Sequence, residues 1–240
     1  MSKSSFWLFC LLLVMAVGTA QATSFVPGVG GSLGTSSTVI GGITVTAFYY
    51  DTTTSSWKSA NLFGRNDGID DRGLGICDPK ETGAQCGTGG GGGDYNELSN
   101  EAADELIRLT LPAGYHWVSV QLSSLDDNGS TNTALWERGQ LLTSSSGTPG
   151  SGTAICNVIF GGSFSCYGGG DGINPILNIT GASANSPYLF LKAYDWSGGG
   201  NKNNDYLIQA ATIGKTPEPA TMLLMGSGIA ALLGRRKLRG

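Results

Sequence analysis

The chain has 240 residues, of which 39 are glycine; only 13% are charged, and the formal net charge is −4. An acidic, charge-poor balance excludes partners held by a basic surface, so neither nucleic acid nor anionic lipid is expected to bind. Glycine in such excess, with Ser, Thr and Asn filling much of the rest, is the profile of many short strands joined by turns.

In chain order, Lys3 makes the start positive, Phe6 to Val17 is an apolar run, and Ala20-Gln21-Ala22 is a small-x-small cleavage signal. Together they describe a secretory signal peptide over 1–22, with the mature chain beginning near Thr23 and Cys10 discarded. Residues 23–38 read as a Gly/Ser-rich leader, and 39–214 as the folded domain. Its first strand is Gly42 to Asp51, where Ile43, Val45, Ala47 and Tyr49 alternate with Thr44, Thr46, Phe48 and Tyr50. A second strand is expected from Trp57 to Phe63. Arg65 to Cys77 is too polar and glycine-rich for a core element and reads as the start of a long surface excursion, extended by the glycine run Gly89 to Gly93.

From Glu105 to Leu111 the apolar residues Ile107, Leu109 and Leu111 alternate, and Pro112 ends the strand. Tyr115 to Leu122, with Val118, Val120 and Leu122 on one face, is its expected hairpin partner across the turn 112–114. Further strands are expected at Thr133–Arg138, Ala154–Phe160, Ile176–Ile179, Tyr188–Asp195 and Asp205–Ile213. About eight strands without a convincing helix predict an all-β fold, an antiparallel β-sandwich of jelly-roll-like kind.

Residues 215–240 form a separate tail: Pro217-Glu218-Pro219, an uncharged run Ala220 to Gly234, then Arg235, Arg236, Lys237 and Arg239. Fifteen residues at 1.5 Å make a helix of roughly 22 Å, a marginal span for a hydrocarbon core of about 30 Å. A basic cluster stays cytoplasmic, so everything before it is expected across the membrane. Loss of Lys3 and the four basic tail residues takes the net charge to about −9.

Four cysteines remain, as two close pairs. Local bridges Cys77–Cys86 and Cys156–Cys166 suit an exported chain, each closing a loop of about ten residues and contributing roughly 2.5–3 kcal/mol. A zinc set is not expected, with no Cys-x-x-Cys and His116 as the single histidine.

The order Pro217-Glu218-Pro219, small-and-Leu-rich run, Arg-rich end resembles the sorting tail of PEP-CTERM proteins. The resemblance implies export by a Gram-negative cell, transient anchoring in the inner membrane, processing by an exosortase-type enzyme, and a destination at the cell surface or beyond. A second stretch, Asp67 to Ile76, Asn96-Glu97, Glu105 to Pro112, Trp117 to Leu122 and Ser124-Leu125-Asp126, is similar to a domain frequent in exported proteins of that kind. It departs where Ile76 replaces a valine, where Asn96-Glu-Leu-Ser99 replaces an acidic triplet, and where a disulfide-sized insertion intervenes. It implies a surface β-sandwich and carries no chemistry with it.

Gly30-Gly-Ser-Leu-Gly34 fits a nucleophile-elbow pattern but lacks the strand before and the helix after, and its single candidate base is His116. The acids Asp67, Asp70, Asp71, Asp94 and Glu97 gather in one excursion. Two readings stand side by side: they are turn formers, or ligands of one calcium ion, whose preference is for carboxylate, amide and carbonyl oxygens. Tyr49, Tyr50, Trp57, Trp136, Tyr194 and Trp196 could supply ring faces for a sugar. The reading that results is an exported structural or adhesive protein of the cell surface or extracellular matrix, not an enzyme. A module binding extracellular polysaccharide is the alternative, and a secreted hydrolase comes third.

Overall fold

The computed structural model describes residues 19–28, 30–80, 96–100, 103–127, 131–161, 165–194 and 204–216. Its strands are β1 (Ala20–Ser24), β2 (Gly31–Ser32), β3 (Ser37–Ile40), β4 (Ile43–Asp51), β5 (Ser56–Ser59), β6 (Asn61–Asn66), β7 (Arg72–Cys77), β8 (Leu98–Ser99), β9 (Glu105–Thr110), β10 (Tyr115–Ser123), β11 (Arg138–Ser144), β12 (Thr153–Ile159), β13 (Tyr167–Gly169), β14 (Ile176–Asn178), β15 (Tyr188–Ala193) and β16 (Asp205–Lys215). Two short 3₁₀ turns, Thr133–Leu135 and Gly181–Asn185, are the helical elements among these residues.

One sheet runs β13-β14-β10-β16-β7-β6-β2, with β1 and β8 also on β16; the other runs β12-β11-β15-β9-β4-β3, with β5 also on β4. Every pairing is antiparallel. A single core lies between the sheets: Ile43, Val45, Ile107, Leu109, Leu189 and Leu191 from one side, Leu74, Ile76, Trp117, Val120, Ile208 and Ile213 from the other. The all-β sandwich expected from composition is present, and β4 buries the face its alternation predicts. Residues 1–18 of the expected signal peptide and the apolar run of the tail lie outside the described residues. Among the described residues no helix is long and apolar enough to cross a membrane.

Several expectations need correction. The segment 23–38 is woven into both sheets: Thr23 pairs with Ala211, Gly31 with Gly64 and Ser37 with Thr46, while Phe25 is 2% exposed. The strand expected from Trp57 to Phe63 is two strands in different sheets, β5 on β4 and β6 on β7. The chain changes sheet at the buried Ala60. The strand expected over Thr133–Arg138 is instead the 3₁₀ turn Thr133–Leu135 leading into β11, which begins at Arg138 and runs to Ser144.

The largest correction concerns Glu105–Leu122. β9 and β10 do not form a hairpin: β9 lies between β15 and β4, and β10 between β14 and β16 in the opposite sheet. Residues 112–114 therefore arch across the sandwich. Both strands alternate, because each packs one face on the same core, and alternation carries no record of which sheet a strand joins. The inward face of β10 also changes along its length. A register shift between Trp117 and Ser119 skips Val118, so Trp117, Val120 and Leu122 point inward and Val118 does not.

Arg72–Cys77 is the other surprise, a strand where a polar surface excursion was expected. Leu74 and Ile76 are 1% and 0% exposed, and the alternating glycines Gly73 and Gly75 are what allow it. At Gly73, with φ +151°, a Cβ would sit 2.6 Å from the Ile208 carbonyl oxygen. At Gly75 a Cβ would overlap the Asn96 carbonyl and lie 2.6 Å from the Glu97 Cα. Backbone packed on backbone leaves no room for a side chain.

Cys156 and Cys166 are bonded with Cα atoms 5.8 Å apart, tying β12 to the segment before β13. Cys77 is also disulfide-bonded; its expected partner Cys86 lies outside the described residues. Two outcomes follow. Gly75→Ala should lower stability by about 1–3 kcal/mol in urea unfolding, as overpacking does. Replacing Cys156 and Cys166 together by Ser should cost roughly 2.5–3 kcal/mol in the same measurement, the value for a ten-residue loop.

Candidate functional site

The β6–β7 hairpin, the segment 96–99 and the residues after β10 converge at one end of the sandwich, and ionisable side chains collect there. Arg65, on β6, faces three carboxylates: its Nη1 is 2.5 Å from Glu97 Oε1, its Nη2 2.7 Å from Asp71 Oδ2, and its Nε 3.3 Å from Asp67 Oδ2. The turn that positions the two aspartates is closed by the Asp67 N–H donating to the Asp71 carbonyl at 2.9 Å. Glu97 reaches the guanidinium because Gly75 lets its backbone lie directly on β7. Ser124 Oγ donates to the same Glu97 oxygen at 2.8 Å. A planar fork with five donors suits several carboxylates at once.

Of the five acids read as turn formers or calcium ligands, three thus meet at Arg65. Asp70 instead accepts from Asn174 Nδ2 at 2.7 Å, and its carbonyl takes the Ser124 N–H at 2.8 Å. Asp94 lies outside the described residues. Among the described residues no group of three or more His, Cys, Asp or Glu side chains is arranged to hold a metal ion. The positive charge that the acids need is, at this point, a guanidinium.

Deeper in the same end lie two acids that sequence reasoning did not single out. Glu137 precedes β11 and Asp205 opens β16, and each is 1% exposed. The two carboxyls lie close enough for Asp205 to act on Glu137. Glu137 Oε2 also accepts the Asp126 N–H at 2.6 Å, while the Glu137 backbone takes part in bonds to Asp126 O and Phe160 N at 3.2 and 3.0 Å. Burial pushes the Glu137 carboxyl far above the ordinary carboxylate range; the bond to Asp205 and the charges of Asp205, Asp126 and Glu97 push the same way. Burial also raises Glu97, followed by the charge of Asp205, with Arg65 pulling in the opposite direction. The signal in the sequence was faint: an acid directly before an apolar strand, as in Asp205-Tyr-Leu-Ile and Glu137-Arg-Gly-Gln-Leu-Leu.

The remaining candidates disperse. Ser32 is on β2 and His116 on β10, separated in one sheet by β6, β7 and β16. Four strand spacings of 4.8 Å put them about 19 Å apart. Tyr50 and Trp57 do meet, edge to face with centroids 5.5 Å apart, on the outer surface of β4 and β5. That surface is roofed by residues 145–152. Cβ atoms at Gly147, Gly150 and Gly152 would lie 2.7 Å from the Tyr188 ring, 2.6 Å from Trp57 Nε1 and 2.7 Å from Leu142 Cβ. Arg108, stacked between Phe48 and Tyr188 at 5.2 and 5.6 Å, donates to the Gly147 carbonyl at 2.7 Å and pins the roof. Tyr49 packs on the core, Trp136 packs on Phe160, and Tyr194 lies over Lys192. Trp196 lies outside the described residues. Among the described residues the expected aromatics form no common platform.

Removing Arg65 leaves Glu97 buried beside Asp205 without its counter-ion. Arg65→Met should therefore cost about 3–5 kcal/mol in urea unfolding at pH 7, and the loss should shrink when Glu97→Gln is added.

The sorting end of the chain starts where the sandwich stops. Lys215 is the last residue of β16, and the Thr216 N–H donates to the Gly114 carbonyl at 2.8 Å. The residues Pro217, Glu218, Pro219, Arg235, Arg236, Lys237 and Arg239 lie outside the described residues. Comparison with curated proteins and with solved structures gives no match. A family model, that of the PEP-CTERM protein-sorting motif, matches residues 215–237, so the chain carries this motif directly on the end of the last described strand.

Proposed function

We propose that the folded domain is a structural or adhesive component of the cell surface or extracellular matrix, delivered there by its tail. The motif marks an exported protein sorted by exosortase, a membrane enzyme, after transient anchoring. The observation that carries the rest is the join: the motif begins at Lys215, the final residue of β16. A sandwich stapled by disulfides and attached to its sorting tail without a linker suits a passive, durable building element. The roof packs on Trp57 and Tyr188, which leaves these two rings less open to the polysaccharide of the alternative reading.

Protein recovered from outside the producing cells should have a mass lacking the signal peptide, up to about Ala22, and the residues beyond Pro217–Pro219. Recovery of an extracellular form that still carries Arg235 to Gly240 refutes the sorting reading. Cells lacking the chain should lose surface-bound matrix or adhesion; unchanged adhesion and matrix would dispose of the structural role while leaving the sorting reading intact.

A further inference from the structure

Strand register fixes the end of the sandwich at which the chain enters and leaves. Ala20, at the start of β1, pairs with Gly214, and Gly214 pairs on its other side with His116 of β10. Tyr115 pairs with Lys215, and the Thr216 N–H donates to the Gly114 carbonyl. The backbone therefore enters before Ala20 and leaves after Thr216 on neighbouring strands, side by side. The turn 41–42, the arch 112–114 and the segment 181–187 lie at the same end, because Thr44 pairs with Thr110 and Thr110 with Tyr188. We propose that this end of the domain is a membrane-facing surface: in the anchored precursor it stands against the lipid headgroups, with the acidic end turned away.

The first support is reach. The inference rests on the export reading, in which the apolar runs Phe6 to Val17 and Ala220 to Gly234 occupy the membrane. Val17 is three residues from Ala20, and Ala220 is four from Thr216. Extended chain can separate those runs from the sandwich by at most about 11 and 14 Å. Roughly 6 Å of that is taken up by the headgroup layer on one side of the bilayer, which leaves a gap of at most about 8 Å. The 11 residues of β16, at about 3.4 Å per residue, put Asp205 roughly 34 Å from Lys215. Either tether alone holds the end with residues 20 and 214–216 at the lipid and leaves the opposite end far from its anchor.

The second support is charge. Residues 19–20, 41–42, 112–116, 181–187 and 214–216 contain no Asp or Glu, and Lys215 is the one lysine or arginine among them. At the opposite end Asp51, Glu105 and Asp205 terminate strands, Asp104, Asp126 and Glu137 flank them, and the Arg65 cluster joins through the bond from Ser124 to Glu97. An anionic lipid surface repels these carboxylates, and with a screening length of about 8 Å at physiological salt the repulsion vanishes once the carboxyl-free end faces down. The tethers supply attachment and the charge supplies orientation, so an acidic domain without affinity of its own for anionic lipid still stands end-on. Pro217-Glu218-Pro219 then falls in the narrow gap between domain and bilayer, where a membrane enzyme reaches it and a bulky soluble protease does not.

The test uses the full chain with Cys10→Ser, reconstituted in vesicles of phosphatidylethanolamine and phosphatidylglycerol. Ala113→Cys, Ala182→Cys and Ile69→Cys are introduced one at a time and labelled with bimane. All three positions are exposed, the first two at the end with the chain exits and Ile69 in the turn of the acidic end. With lipids spin-labelled at the headgroup, bimane at Ala113 and at Ala182 should lose most of its fluorescence and bimane at Ile69 almost none. Equal losses at the three positions, or a larger loss at Ile69, overturn the orientation. Flotation of the same samples separates this from the export reading. A chain that floats with the vesicles and is quenched equally everywhere keeps its anchor and loses the proposed surface, whereas a chain that does not float overturns the anchoring and the surface together.

Discussion

Strand β16 is the constraint on which the rest of the molecule depends. It is the longest of the described strands at 11 residues, and it pairs with β10, β1, β7 and β8. A strand paired on both edges and covered on both faces must satisfy its whole backbone within the protein. It does so while turning over: a register shift skips Gln209, so Tyr206 and Ile208 point into the core before it, and Ala211 and Ile213 after it. Its first residue is half of the buried carboxyl pair and its last is the first residue of the sorting motif. Core, acidic end and export tail are successive stations on one strand.

The acidic end shows how the fold accommodates charge that its core cannot. Glu97 is 1% exposed, and a single buried carboxylate is costly unless paired. Arg65 provides the pairing for Glu97, Asp71 and Asp67, and it is held in place by the same β6–β7 hairpin whose glycines admit the segment 96–99. The close packing of β7 and the ion-pair cluster are one arrangement: without Gly75, Glu97 would stand off the sheet and out of reach of the guanidinium. Glu137 and Asp205 lie deeper in the same end, where Glu137 Oε2 accepts the Asp126 N–H. Replacing them by apolar residues could be neutral or stabilising in principle. What a buried hydrogen-bonded carboxyl adds is direction, since the Asp126 N–H on Glu137 Oε2 fixes particular points that apolar packing would allow to slide.

Strands with at least one buried face were legible in advance. Ile43–Asp51, Glu105–Thr110, Tyr115–Ser123, Thr153–Ile159 and Asp205–Lys215 all show bulk in alternation or in runs. Arg72–Cys77 was not, because its Gly73 and Gly75 look like turn residues until another backbone is found lying on them. The same ambiguity hid Gly147, Gly150 and Gly152, which read as loop filler and prove to be the contact surface of a roof over Tyr188, Trp57 and Leu142. Glycine marks both an exposed turn and the tightest packing in the molecule, and one chain by itself cannot say which.

The sequence alone determined the local and the linear: an all-β composition, the positions of most strands, the short-range Cys156–Cys166 bridge, and the order of Pro-Glu-Pro, apolar run and basic end that marks the sorting tail. These depend on period, composition and separation along the chain, which are properties of neighbours. Only the tertiary structure decided that β9 and β10 belong to opposite sheets, that Arg65 gathers acids from across 32 positions, and that Glu137 meets Asp205. Side-chain alternation reports that a face is buried and not what buries it, and a carboxyl's partner is set by which strands the core brings side by side.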